Sequence, residues 1–100
     1  MREYELYLVL DGDAEEPEVS STLEKVSQLI VAGNGETNGE LIKTESRGKR
    51  RLAYPVRKKT EGQDVILTFR TSQQALPEIE RVLKLDELVL RYLLVRLDEV

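Results

Sequence analysis

Apolar and polar residues alternate in some stretches of the chain and recur at helical spacing in others. Residues 2–11 alternate, with Tyr4, Leu6, Leu8 and Leu10 on one side and Glu3, Glu5, Tyr7 and Val9 on the other. That period predicts a half-buried strand. Asp11-Gly12-Asp13 signals a turn. A helix follows, with Pro17 near its first position, where a missing N–H costs nothing. Asp13, Glu15, Glu16 and Glu18 crowd its entry, the end of the dipole that favours negative charge. Val19, Leu23, Val26 and Ile30 form its stripe, with Leu29 beside them, and Gly33 or Gly35 ends it.

Residues 33–39, Gly-Asn-Gly-Glu-Thr-Asn-Gly, read as a mobile loop. They follow a helix and lack the lysine and hydroxyl of a phosphate-binding loop, so that reading is set aside. Alternation resumes at Leu41. Gly48 interrupts it and predicts a bulge or bend. It continues over residues 51–56, where Pro55 restricts the segment to an edge strand or a strand end. Thr60-Glu61-Gly62 is expected to turn the chain into the next strand, in which Val65, Leu67 and Phe69 alternate with Ile66, Thr68 and Arg70. The two strands make an antiparallel hairpin.

A second helix is expected over residues 73–85, with Leu76, Ile79, Val82 and Leu83 as its stripe and Ser72 as its cap. Pro77 would sit inside it, so the helix should start late or fray before that residue. Residues 88–97 form a last, almost wholly apolar strand. The order is strand, helix, strand, strand, helix, strand. It predicts an α+β, ferredoxin-like βαββαβ fold over residues 1–100, a four-stranded antiparallel sheet with two helices on one face.

Such a sheet leaves its other face open. If Leu6, Leu8, Leu67, Phe69, Tyr92 and Leu94 face the helices, then Tyr7, Val9, Ile66, Leu93, Val95 and Leu97 face outward. An apolar patch of that extent is expected to be a docking surface for another protein.

Composition narrows the chemistry. The 100 residues suffice for one domain, and no apolar run is long enough to span a bilayer. The N-terminus runs straight into alternation, so no signal peptide is expected. There is no cysteine, hence no disulfide and no thiol chemistry. There is no histidine, the usual proton carrier near neutral pH and the commonest metal ligand. No carboxylate, lysine or hydroxyl constellation replaces it, so no enzyme, cofactor, metal or small-molecule substrate is expected.

Charge is the informative departure. Residues 47–59, Arg-Gly-Lys-Arg-Arg-Leu-Ala-Tyr-Pro-Val-Arg-Lys-Lys, hold seven of the 15 basic residues and no acidic one. The remainder holds eight basic against 19 acidic residues, so +7 sits on −11 within a net charge of −4. Clustering on an acidic body is not a by-product of overall basicity, and arginine's planar fork suits phosphate. Arg47, Lys49, Arg50, Arg51, Arg57, Lys58 and Lys59 are the candidate phosphate contacts, with Arg2 and Arg91 as secondary ones. Alanine at Arg50 and Arg51 is expected to weaken binding without disturbing the fold. Tyr54 is expected to brace the hairpin rather than stack on a base. The RNA recognition motif shares this element order, but the aromatic platform and sequence pattern of that module are missing. A ligand-sensing or regulatory domain that dimerises through its sheet would explain the open face, though not the basic segment.

The run Gly48-Lys49-Arg50-Arg51-Leu52-Ala53-Tyr54-Pro55-Val56 resembles the bacterial ribosomal small-subunit protein 6 family, which carries a glycine, basic residues, then Leu-Ala-Tyr-Pro and an aliphatic residue. The opening Met1-Arg2-Glu3-Tyr4-Glu5 is similar as well, and Val56 stands where isoleucine is more usual. Gly48, Arg50, Leu52, Ala53 and Tyr54 match signature positions. The resemblance implies a structural component of the small ribosomal subunit in the cytoplasm, without the extended acidic tail of some members. It implies binding to the central domain of small-subunit ribosomal RNA, as a heterodimer with small-subunit protein 18.

Overall fold

The computed structural model describes residues 1–97. Its elements are β1 (Arg2–Asp11), α1 (Glu16–Ala32), β2 (Glu40–Val56), β3 (Lys59–Thr71), a 3-10 turn (Gln73–Ala75), α2 (Leu76–Leu85) and β4 (Val89–Arg96). The strands form one antiparallel sheet in the order β2-β3-β1-β4. Both helices cover one face, which gives the ferredoxin-like arrangement that the element order predicts.

Period-two alternation sets the core. Tyr4, Leu6, Leu8 and Leu10 of β1 stand beside Val65, Leu67 and Phe69 of β3, and all are buried against Val26, Ile30, Ile79 and Leu83 of the helices. A one-residue slip would turn every one of these side chains to the other face, so burial fixes the register. The Glu15 N–H donates to the Glu18 carboxylate at 3.0 Å, and Gly33, at φ 61°, ends α1. The α-helix starts late, as Pro77 leads one to expect, at Leu76 rather than at residue 73. Residues 73–75 form the 3-10 turn, capped by the Ser72 hydroxyl, and the proline falls in the first turn of the α-helix proper.

Asp86 fastens this layer to β4. Its carboxylate accepts hydrogen bonds from the Thr22 hydroxyl at 3.0 Å and the Leu88 N–H at 2.9 Å, and pairs with Lys25 at 3.0 Å. Burial works to raise its pKa. The Leu88 N–H, Lys25 and Thr22 together outweigh burial and hold it below the ordinary value.

Two local expectations change. The loop at 33–39 is held rather than left loose. The Asn34 side-chain oxygen accepts from the Glu36 and Thr37 N–H groups, and its amide donates to Ser72 and Gln74. The hairpin turns at Arg57-Lys58, not at Thr60-Glu61-Gly62, because Val56 already pairs with Lys59. Arg57 and Lys58 have φ values of 51° and 66°. Positive φ at both central residues makes a tight turn whose twist matches the strands. No glycine or asparagine marks it, so turn chemistry pointed three residues too late.

Candidate nucleic-acid and protein interface

The basic segment is built on an irregular edge strand. β2 slips register against β3 between Leu41 and Lys43, between Ser46 and Gly48, and between Arg51 and Val56. Gly48, at φ 81°, is the bulge residue that the sequence marks. The last slip frees the Leu-Ala-Tyr-Pro piece from the ladder, where Pro55 has no N–H to give. The freed end of the hairpin leans across β1 toward β4. The Val9 and Leu52 side chains fill the space over Gly62, so that a Cβ there would stand 2.7 Å from Val9 and 3.2 Å from Leu52. Arg91 of β4 donates to the Tyr54 hydroxyl at 2.8 Å, and its guanidinium lies 5.7 Å from the Tyr54 ring centre. Tyr54 therefore braces the hairpin. Arg57 shares a surface cleft with Leu83, Lys84, Val89 and Arg91.

Beneath this arm the open face carries a buried carboxylate. Asp64 Oδ2 accepts from the Tyr7 hydroxyl at 2.6 Å and from Arg50 Nε at 2.7 Å. Hydrogen bonding to Asp64, before burial, raises the Tyr7 pKa, and the same carboxylate raises that of Arg50. Tyr7, Val9, Arg50, Arg91, Tyr92 and Leu93 line a cavity of about 260 Å³ above it.

The seven cations divide accordingly. Arg50 is held by Asp64. Arg47 pairs with Glu45 at 2.7 Å and Lys59 with Asp11 at 3.2 Å. Among the described residues, Lys49, Arg51, Arg57 and Lys58 form no ion pair. Arg91 joins the segment through Tyr54. Arg2 does not. It starts β1, while Lys59 reaches Asp11 at the other end, about 30 Å away at the usual rise per residue. Because Arg50 balances a buried charge, alanine there is expected to cost stability as well as binding.

The expected apolar surface is also divided. Val9 is only 5% exposed and leaves that surface. Tyr7 and Ile66 are half-buried. Leu93, Val95 and Leu97 are exposed by 62%, 39% and 44%, and form an apolar rim along β4. Sequence reasoning missed Asp64. The available signal was a carboxylate heading the apolar run Val65-Ile66-Leu67, which must find polar partners if it is buried.

The family model for ribosomal protein S6 matches residues 3–96. The chain belongs to the ribosomal protein S6 family. It is 41% identical over 99 residues to the small ribosomal subunit protein bS6 of Caldanaerobacter subterraneus, covering 99% of this chain and 100% of that one. It is 36% identical to bS6 of Corynebacterium efficiens over the same shares. The crystal structure of 30S ribosomal protein S6 from Thermotoga maritima superposes with a TM-score of 0.83 at 27% identity, covering 96% of this chain and 87% of that one. A ribosomal S6 chain is a structural constituent of the small subunit rather than an enzyme, and the basic arm and apolar rim are to be understood in that setting.

Proposed function

We propose that this S6 chain binds the central domain of small-subunit ribosomal RNA together with small-subunit protein 18. Lys49, Arg51, Arg57 and Lys58 are the principal phosphate contacts, while Arg91, on β4, faces the protein partner. Arg47, Arg50 and Lys59 contribute less because carboxylates already hold them, and Arg2 contributes only to an interaction at the far end of the sheet. Tyr7, Ile66, Leu93, Val95 and Leu97 form the surface for the protein partner.

The observation that carries this reading is the separation of the two features. Cations without carboxylate partners gather on the hairpin arm, in a chain whose net charge is −4. Exposed apolar side chains gather along β4, toward the end of the sheet near Glu3. An acidic protein repels RNA at long range, so a partner on the apolar rim would supply the affinity that the arm alone lacks. Sedimentation of the chain mixed with small-subunit protein 18 tests the partnership. A heterodimer that Leu93→Asp abolishes supports it. Two species sedimenting as if alone would contradict it.

A further inference from the structure

The sheet has two edges, and they are protected very differently. β2, at one edge, carries three register slips, the Gly48 bulge, Pro55 and a row of charged side chains. Each of these devices discourages pairing with another strand. β4, at the other edge, reads Val-Leu-Arg-Tyr-Leu-Leu-Val-Arg, without proline, lysine or an acidic residue. Its pairing with β1 is regular from Tyr4 to Val9 and slips only beyond it.

The phase of its backbone is set by one bond. The Leu97 N–H donates to the Glu3 carbonyl at 2.8 Å. Bonded pairs alternate along an antiparallel ladder, so Val95, Leu93 and Arg91 turn their backbone groups toward β1. Tyr92 and Leu94 turn theirs away. Among the described residues no strand lies on that outer side.

We propose that β4 takes up an extended segment of a protein partner as a fifth strand, with an acidic side chain of that segment against Arg91. This rests on the partner reading above and adds how the partner is held. Outward peptide groups call for another backbone at strand spacing, and the exposed Leu93 and Val95 offer apolar contacts at every second residue. Arg91 forms no ion pair among the described residues, and its hydrogen bond goes to the neutral Tyr54 hydroxyl. A second copy of β4 would bring Arg91 and Arg96 and no carboxylate, so charge disfavours self-pairing.

Amide hydrogen exchange on the full chain, alone, with small-subunit protein 18 and with ribosomal RNA, tests this. With protein 18 bound, the Tyr92 and Leu94 amides should slow by about tenfold or more. Arg91→Glu should weaken that complex by about tenfold, whereas Tyr54→Phe, which breaks the same hydrogen bond to the arm, should leave it nearly unchanged. A complex in which both amides exchange as in the free chain overturns the strand addition and leaves the partnership standing. No complex at all overturns both. Protection that grows with the concentration of the chain alone assigns the edge to a second copy, and protection that requires RNA assigns it to RNA. Either result overturns the proposal.

Discussion

Tyr54 and Arg91 meet across the open face, hydroxyl to guanidinium at 2.8 Å, although β3 and β1 lie between their strands. This contact ties the basic arm to the opposite edge of the sheet. It turns a charged hairpin end, which would otherwise project freely, into a surface of defined position. The pair is exposed, so it contributes about 0.5–1 kcal/mol. A double-mutant cycle with Tyr54→Ala and Arg91→Ala, read by urea denaturation, should return a coupling of that size. Strict additivity would mean that the arm is held elsewhere.

The arm also closes over Gly62, where Leu52 and Val9 fill the space a side chain would need. Adding a methyl at Gly62 forces that contact apart. Gly62→Ala should cost about 1–3 kcal/mol, the usual penalty for overpacking. It should also speed exchange of the neighbouring arm amides. A variant with wild-type stability would show that the arm can move away without loss.

Arg50 and Arg51 are adjacent in sequence and opposite in role. Removing Arg50 leaves Asp64 buried without its cation, and Arg50→Ala should destabilise the fold by about 1–3 kcal/mol. Arg51→Ala should fall within about 0.5 kcal/mol of the parent, as an exposed surface change does. Chemical denaturation of the two variants side by side checks the distinction. Equal stabilities would contradict it.

The hairpin tip sets function against stability. Arg57 and Lys58 occupy positive φ, where a side chain costs about 1 kcal/mol or more. Lys58→Gly should therefore raise stability by about 0.5–1 kcal/mol. It should also lower RNA affinity by removing a cation. A less stable variant would refute the turn geometry.

Asp86 makes stability depend on pH. Its folded pKa lies below the ordinary carboxylate value. The stability it contributes is therefore fully present above that ordinary value and is lost as pH falls through the folded pKa. Asp86→Asn should be less stable than the parent by about 1–3 kcal/mol near neutrality. The difference should shrink on acidification. A pH-independent difference would assign the effect to packing.

Much of the fold was legible because burial is periodic. Alternation placed Leu6, Leu8, Leu67 and Phe69 on the helix face, and helical spacing placed Val26, Ile30, Ile79 and Leu83 against them. Gly48 announced its bulge for a conformational reason that glycine makes visible. The turn was not legible, because Arg57 and Lys58 carry no turn preference and are held by the strands on either side. The division of the cations was not legible either. Sequence shows that Arg50 is charged, but Asp64 lies 14 residues away and meets it only through the β2–β3 register. Val9 failed for a similar reason: alternation puts it outward, and only the fold shows it buried, with its side chain over Gly62.

The most direct test of the central claim is a salt titration of binding to the central domain of small-subunit ribosomal RNA, with and without small-subunit protein 18. It compares the parent with a variant carrying alanine at Lys49, Arg51, Arg57 and Lys58. Binding should be strong only with the partner and should fall steeply with salt. The variant's log–log slope should be shallower by roughly 0.7–0.9 for each phosphate that no longer meets a cation. An unchanged slope would remove the arm from the RNA interface. No binding under either condition, with a stable homodimer in solution, would contradict the account and favour a domain that dimerises through its sheet.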